Sequence, residues 1–242
     1  MDLSVVVPAF NEAERIEANL RTIHQYLSSK GVNFEIIVVD DKSEDNTVQK
    51  VKELMREIPR LRLIELEEHQ GKGGAVKTGI LSAKGNLILM SDADLSCPIT
   101  ELEKLQQAIK NGADLAIGSR RIPGARLIRH QPWLREKIGL AFGYFTGKLI
   151  PTGVLDTQCG FKCFKREVAK TLFSLQTSRG FCFDLEILAW AKKLGYRIAE
   201  VGVVWEDKPQ SKVKPLRHLP QVVWEVFKIR RELFRRREVG RG

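Results

Sequence analysis

Residues Leu87 to Pro98 read LILMSDADLSCP. An apolar run, Leu87 to Met90, meets two carboxylates, Asp92 and Asp94, with only Ala93 between them. In an extended chain, residues i and i+2 point the same way, so both carboxylates crowd one small volume. A divalent cation with hard oxygen ligands, Mg²⁺ or Mn²⁺, would offset that repulsion. The same residues also suit a helix cap, since Asp, Ser and Pro gather where helices begin. On this stretch alone, a metal and a cap both stand.

The elements around this pair decide where such chemistry would sit. Two β-branched runs, LSVVVPAF from Leu3 and FEIIVVDDKS from Phe34, flank a segment with Ile16, Leu20, Ile23 and Leu27 at helical spacing. Strand, helix, strand is a βαβ unit with a parallel sheet. Thr47 to Met55 predicts the next helix and RLRLIELE a third strand. Lys72 to Ala83 predicts a helix behind glycines, and Leu87 to Met90 a fourth strand. A helix stopped at Asn111-Gly112 then leads into a fifth strand, ADLAIGSRR. The first 120 residues therefore predict an alternating α/β sheet. Ligands of open α/β sheets bind beyond the carboxyl ends of the strands. Polar clusters PAFNE, DDKSED, SDADLS and GSRR follow strands one, two, four and five. A dinucleotide-binding Rossmann unit wants G-x-G-x-x-G after strand one, where this chain has Pro8-Ala9-Phe10-Asn11-Glu12. The glycine-rich GKGGAV around Lys72 lacks the spacing of a P-loop.

These clusters, in this order, resemble the GT-A glycosyltransferases of family 2, most of all the branch using polyprenyl phosphates. VVVPAFNE, VVDDKSEDNT, GKGGAVKTG, SDADLS, GSRR, DTQCGFKCF, FDLEIL and VWEDKPQSKV carry the resemblance, from Leu3 to about Val213. DTQCGFK and the late Ser-Lys pair are more similar to dolichyl-phosphate glucosyltransferases than to mannosyltransferases. The resemblance implies a GT-A catalytic domain over 1–213, with a nucleotide-sugar half (1–120) and an acceptor half (121–213), followed by a basic helical tail (214–242). It implies inverting transfer of a hexose, glucose before mannose, from a nucleotide-sugar (UDP-glucose, then GDP-mannose) to dolichyl or polyprenyl phosphate.

The resemblance also distributes roles. Asp92 and Asp94 would hold Mg²⁺ or Mn²⁺ and, with Ala93, flank the donor diphosphate. Pro8, Ala9, Glu12, Asp40 and Asp41 would form the nucleoside slot, although one of the two aspartates also suits a helix cap. Lys72 and Lys212 would approach the diphosphate. Arg120, Arg121, Arg129 and Arg135 are candidates for the acceptor phosphate, which a guanidinium fork fits. A polyprenyl phosphate is already anionic at neutral pH and needs little deprotonation. Asp156 is the first candidate for a base or orienting carboxylate, and Asp184 the second. Asp184 and Glu186 would not share a helix face, so Glu186 also suits a structural role.

The chain of 242 residues carries a net charge of +10. Ten Lys/Arg against three Asp/Glu lie from Lys212 onward, so the excess sits mostly in the tail. No run of about 18 apolar residues occurs and the N-terminus enters a strand at once, which predicts neither a spanning helix nor a secretory signal. Four cysteines without a CxxC pair predict free thiols, and the four scattered histidines suggest no site. Trp133 to Ile150 is apolar and aromatic enough to lie in a membrane interface. In the tail, Leu219, Val222, Val223, Val226, Phe227, Leu233 and Phe234 fall broadly on one stripe beside Lys228, Arg230, Arg231 and Arg235 to Arg237. The expectation is a peripheral enzyme on the cytoplasmic face of an anionic membrane. Two other readings stay open: a transferase using a soluble acceptor, and a non-enzymatic basic membrane- or RNA-binding module. No motif supports nucleic acid.

Overall fold

A computed structural model of the chain describes residues 1–129, 143, 145–208 and 219–235. Its main sheet has seven strands in the order β3-β2-β1-β4-β7-β5-β8. These are β1 (Leu3–Ala9), β2 (Phe34–Asp40), β3 (Leu61–Glu65), β4 (Leu87–Met90), β5 (Leu115–Ser119), β7 (Lys162–Lys165) and β8 (Ile198–Gly202). A small second sheet pairs β6 (Arg126–Arg129) with β9 (Val204–Glu206). The helices are α1 (Ile16–Ser29), α2 (Thr47–Leu54), α3 (Lys72–Ser82), α4 (Leu102–Lys110), α5 (Arg166–Leu175), α6 (Phe183–Lys193) and α7 (Leu219–Arg235). The predicted elements of the first 120 residues all form. The first helix starts at Ile16, and its buried residues are Ile16, Leu20, Ile23 and Leu27, as the spacing predicts.

Both faces of the sheet are covered, which is why β2 reads as a continuous apolar run and is buried throughout. Strand alternation divides the core. Leu3, Val5, Val7 and Ala9 of β1 pack with α1, α2 and α4 on one face. Val6 packs with α3, α5 and α6 on the other. The charged Glu35 within β2 is tolerated because Ser4 Oγ (2.7 Å), Arg62 Nη1 (2.6 Å) and the Lys84 amide (2.8 Å) bond its carboxylate.

One strand runs against the rest. β7 is antiparallel to both β4 and β5. Its amino end therefore reaches the rim where the other main-sheet strands end, and brings Asp156, Cys159 and Gly160 to that rim. The sequence shows these residues only as a motif, because a four-residue strand gives almost no periodic signal.

The tail helix is packed as well as exposed. Val226 and Ile229 of α7 are buried with Ile150, Cys182, Leu185 and Ala189. Trp224, Phe227 and Phe234 are 62%, 52% and 50% exposed. The single stripe expected from the sequence is thus split: Val226 turns inward while Phe227 and Phe234 turn outward. Successive helical residues are about 100° apart, so neighbours such as Val226 and Phe227 belong to different faces. Trp133 and most of the segment ending at Ile150 lie outside the described residues. All four cysteines are buried and free.

Candidate active site

The ends of β1, β2 and β4 are followed by the non-glycine residues with positive φ: Asn11 (55°), Lys42 (63°) and Leu95 (48°). Such backbone costs energy and tends to gather at functional sites. Beyond β2, Asp40 Oδ2 accepts from the Ser43 amide at 2.9 Å, while its Oδ1 is buried without a hydrogen-bond partner. Asp41 Oδ1 accepts from the Gln70 amide at 2.7 Å, and Oδ2 lies 3.0 Å from His69 Nδ1. Burial raises the pKa of Asp41. Asp40 thus bonds the Ser43 amide as a cap there would, but α2 itself starts later, at Thr47. Asp45 bonds the Thr47 amide at the start of α2 (3.0 Å), and Asn11 bonds the Glu44 amide (2.7 Å).

Ala9 is joined to the same place, its carbonyl accepting from the Asp41 amide at 2.8 Å. The rings of Phe10 and His69 lie 4.6 Å apart. Pro8 ends the same strand, half-buried. These residues bring two aromatic rings, two carboxylates and the backbone of Ala9 together at the ends of β1 and β2. Glu12 is tied to Arg15, whose Nη2 bonds its Oε1 at 3.0 Å. This ion pair, opposed by burial and helped by Asp94 and Asp92, raises the Arg15 pKa.

Asp92 and Asp94 stand where β4 ends, and Asn19 Nδ2 holds the intervening Ala93 carbonyl at 2.7 Å. Asp94 Oδ1 accepts from the Ser96 amide at 2.9 Å. Burial first, then the charge of Asp92, raises the Asp94 pKa. Lys72 Nζ lies 2.6 Å from Asp92 Oδ1 in an ion pair, although that buried oxygen makes no well-directed hydrogen bond. Gly160 is pressed against the same carboxylate; a Cβ there would lie 2.0 Å from Asp92 Oδ2. Burial opposes the charge on Lys72, but Asp92, Asp184 and Asp94 outweigh it and raise its pKa. These residues fit a divalent ion, with one qualification of geometry. Among the described residues no three of His, Cys, Asp and Glu gather as a ligand set. A cation here would take Asp92 and Asp94 and complete its shell with diphosphate and water oxygens, as Mg²⁺ commonly does.

The glycine turn packs on a loop about a hundred residues later in the chain. Gly73 and Gly74 amides donate to the Arg179 carbonyl at 2.8 and 3.2 Å. A Cβ on Gly71 would sit 2.7 Å from that oxygen, and one on Gly73 2.8–2.9 Å from the carbonyls of Ser178, Arg179 and Gly180. The close approach is thus between the start of α3 and the loop 176–180. Lys72, between these glycines, is aimed at Asp92 by that docking. Glu186 is structural, as its helix position allowed: its carboxylate accepts from the Thr177 amide (3.0 Å) and the Ser178 amide (2.7 Å).

Across the rim, Asp156 is buried and grips Arg120. Oδ2 accepts from Arg120 Nε (2.7 Å) and its amide (2.9 Å), and Oδ1 from Nη2 (2.7 Å). Burial opposes the Asp156 charge, but Arg120 more than compensates and lowers its pKa. A carboxylate with both oxygens engaged and a depressed pKa is poorly suited to take a proton. Its geometry is that of a holder: Arg120 is fixed over the Trp205 ring at 5.2 Å. Nη1 is left without a hydrogen-bond partner among the described residues. The buried Asp184 accepts from Lys162 Nζ at 2.5 Å. Burial raises its pKa despite Lys162 and Lys72.

The other predicted arginines are elsewhere. Arg121 Nη1 bonds the Leu155 carbonyl at 3.1 Å, and Arg129 is exposed on β6. Arg135 and Lys212 lie outside the described residues. The sequence reading missed Phe10, His69 and Lys162. Only the PAFNE cluster hinted at Phe10. A buried lysine within DTQCGFKC, facing an aspartate 22 residues later, left no local signal.

Comparison with known proteins agrees with this arrangement. Residues 4–173 match the model of glycosyl transferase family 2. The chain is 35% identical over 94% of its length to a dolichyl-phosphate beta-glucosyltransferase of Dictyostelium discoideum, spanning 73% of that protein. It is 40% identical over 86% of its length to one from Trichomonas vaginalis, of which it spans 65%. The human dolichyl-phosphate beta-glucosyltransferase is 34% identical over 88% of the chain and 70% of its own length. Among solved structures, Mycobacterium tuberculosis glucosyl-3-phosphoglycerate synthase with Mn²⁺ and UDP-glucose shares the fold. The TM-score is 0.68 at 20% identity, over 95% of this chain and 78% of that one. With the strand-end carboxylates, the antiparallel β7 and these matches in agreement, the chain is a glycosyltransferase and belongs to glycosyl transferase family 2.

Proposed function

We propose that this enzyme transfers glucose from UDP-glucose to the phosphate of a polyprenol such as dolichyl phosphate, inverting the anomeric carbon. The observation that carries the reading is the layout of charge on one rim. Asp92, Asp94 and Lys72 stand on one side, and Arg120, held by Asp156, on the other. Asp92 follows β4 and Arg120 follows β5, and the amino end of β7 lies between these two strands on the same rim. The relatives named as dolichyl-phosphate beta-glucosyltransferases support glucose and a lipid phosphate.

The phosphate oxygen attacks the anomeric carbon, the bond from that carbon to the diphosphate oxygen breaks, and UDP leaves with its electron pair. Lys72 neutralises charge on the diphosphate. A bound Mg²⁺ or Mn²⁺ on Asp92 and Asp94 would supply Lewis-acid stabilisation of the same leaving group. Arg120 orients the acceptor phosphate, and Asp156 holds Arg120 rather than acting as the base. Asp184, buried and paired with Lys162, helps to keep Lys72 charged. The orphaned Asp40 Oδ1 receives an N–H or hydroxyl of the nucleoside. Phe10 and His69 provide the wall on which the base rests.

Among the described residues no helix is long and apolar enough to cross a membrane. The outward face of α7 joins exposed Trp224, Phe227 and Phe234 to Arg230, Arg231 and Arg235. This pairing of aromatic and basic side chains suits the surface of an anionic bilayer, where the acceptor resides. The deciding experiment offers UDP-glucose, GDP-mannose and UDP-GlcNAc, with Mn²⁺, Mg²⁺ or EDTA, to dolichyl phosphate in vesicles and to soluble sugars. Metal-dependent transfer of glucose to dolichyl phosphate is expected. Transfer to a soluble sugar alone would overturn the lipid acceptor.

A further inference from the structure

The tail helix reaches the active site through one carboxylate. Glu225, on the inward face of α7, is 9% exposed. Its Oε2 accepts from Ser178 Oγ at 2.9 Å, 47 residues away in sequence. Gly180 is pressed against it, since a Cβ there would lie 2.7 Å from Glu225 Oε1. Arg179, between Ser178 and Gly180, presents its carbonyl to the Gly73 and Gly74 amides. Gln176 closes the loop from the other side, its Nε2 bonding the Gly73 carbonyl at 2.9 Å and the Ser178 carbonyl at 2.6 Å. Lys72 lies between Gly71 and Gly73 and touches Asp92 at 2.6 Å. The series joins side-chain hydrogen bonds at Glu225, Ser178 and Gln176 to backbone hydrogen bonds at Gly73 and Gly74, and ends in the Lys72–Asp92 ion pair. Close-packed contacts of this kind transmit displacement.

We infer that Glu225 is a positioning residue for the donor diphosphate: through Ser178 and the 176–180 loop it fixes the start of α3 and so the place of Lys72. The inference rests on the reading of Asp92, Asp94 and Lys72 as the donor site. It makes α7 part of the catalytic unit. The helix that turns its aromatic and basic side chains outward also holds, with its inward carboxylate, the loop on which the donor lysine is built. On this inference α7 is not a removable tail.

The test is calorimetric titration of the full chain with UDP and Mn²⁺, together with donor KM and kcat, for Glu225→Ala, Glu225→Gln, Ser178→Ala and the double variant. A hydrogen bond to a charged group is worth about tenfold in an equilibrium. Glu225→Ala and Ser178→Ala are each expected to weaken UDP about tenfold and raise donor KM with less change in kcat. The double variant should lose less than the sum of the two single ones, because both remove the bond between Ser178 and Glu225. Glu225→Gln, which keeps an accepting oxygen, should recover most of the loss. Melting temperatures and circular dichroism identify the folded variants. Ser178→Ala, a small change in a loop, keeps the test open should Glu225→Ala not fold. Unchanged UDP affinity and KM in folded Ser178→Ala would overturn the inference and leave Glu225 a packing residue. A wild type that binds neither UDP nor GDP with Mn²⁺ would overturn the donor-site reading beneath it.

Discussion

The two sides of the rim are built differently. On the proposed donor side, Asp40 ends β2, Asp41 follows it, and Asp92 and Asp94 follow β4, so each strand's end delivers its own carboxylates. On the proposed acceptor side, and behind Lys72, the charged groups are placed by residues far along the chain. Asp156 holds Arg120 across 36 residues, and Lys162 holds Asp184 across 22. The donor side is a property of strands; the opposite side is a property of buried pairs. A pair fails when one partner is removed, because the other is left as an uncompensated buried charge. Lys72 belongs to both kinds, carried on α3 but aimed by the loop 176–180.

Four measurements sharpen that contrast, beginning with the largest effect. Asp94→Ala should abolish metal-dependent UDP binding and lower turnover by roughly 10²–10³, as loss of a group stabilising transition-state charge does. Its thermal stability should be little changed or raised, because a buried carboxylate beside another is relieved. Calorimetry with and without EDTA checks the first point and thermal melting the second. A large fall in stability would place Asp94 among the structural pairs.

Asp156→Asn should cut kcat by about 10² while donor affinity stays near that of the wild type, since an acceptor-orienting group acts mainly in the transition state. It should also lower stability by a few kcal/mol, up to about 3–5, because Arg120 loses a buried partner. Comparing kcat, donor KM and denaturant midpoints tests both. Weak UDP binding with normal kcat would move Asp156 to the donor side.

The two sides should also separate on acidification. The raised pKa of Asp94 means that its proton returns at higher pH than for an ordinary carboxyl, near 3.9. Metal-dependent UDP affinity should therefore begin to fall above that pH. Asp156 has a lowered pKa, so its contribution to stability is present above about 3.9 and is lost only as pH falls through its folded value below that. Titrating affinity and stability against pH on the same sample should show affinity failing first. The reverse order would mean that the pair with Arg120 is the weaker element.

Gly73→Ala has the smallest expected effect, roughly 1–3 kcal/mol of stability, because its methyl would meet three backbone carbonyls. UDP affinity should fall with it, since the displaced turn carries Lys72. Stability loss without loss of affinity would show that Lys72 finds Asp92 unaided.

The sequence by itself determined the α/β framework and the donor carboxylates. Buried parallel strands need unbroken apolar runs, and those runs must stop where the chain turns to solvent, so Val38-Val39 before Asp40 and Leu89-Met90 before Asp92 are legible without coordinates. The glycines of GKGGAV were legible as a close approach, but not what approaches, because the loop 176–180 lies a hundred residues later. Tertiary structure alone decided the rest. It set β7 antiparallel, engaged both oxygens of Asp156 with Arg120, placed Lys162 under Asp184 and His69 beside Asp41, and turned Glu225 inward while Trp224 faced out. Local pattern records which face of an element is apolar. Which distant charge completes a buried pair depends on the packing of several elements at once, and no periodicity along the chain encodes it.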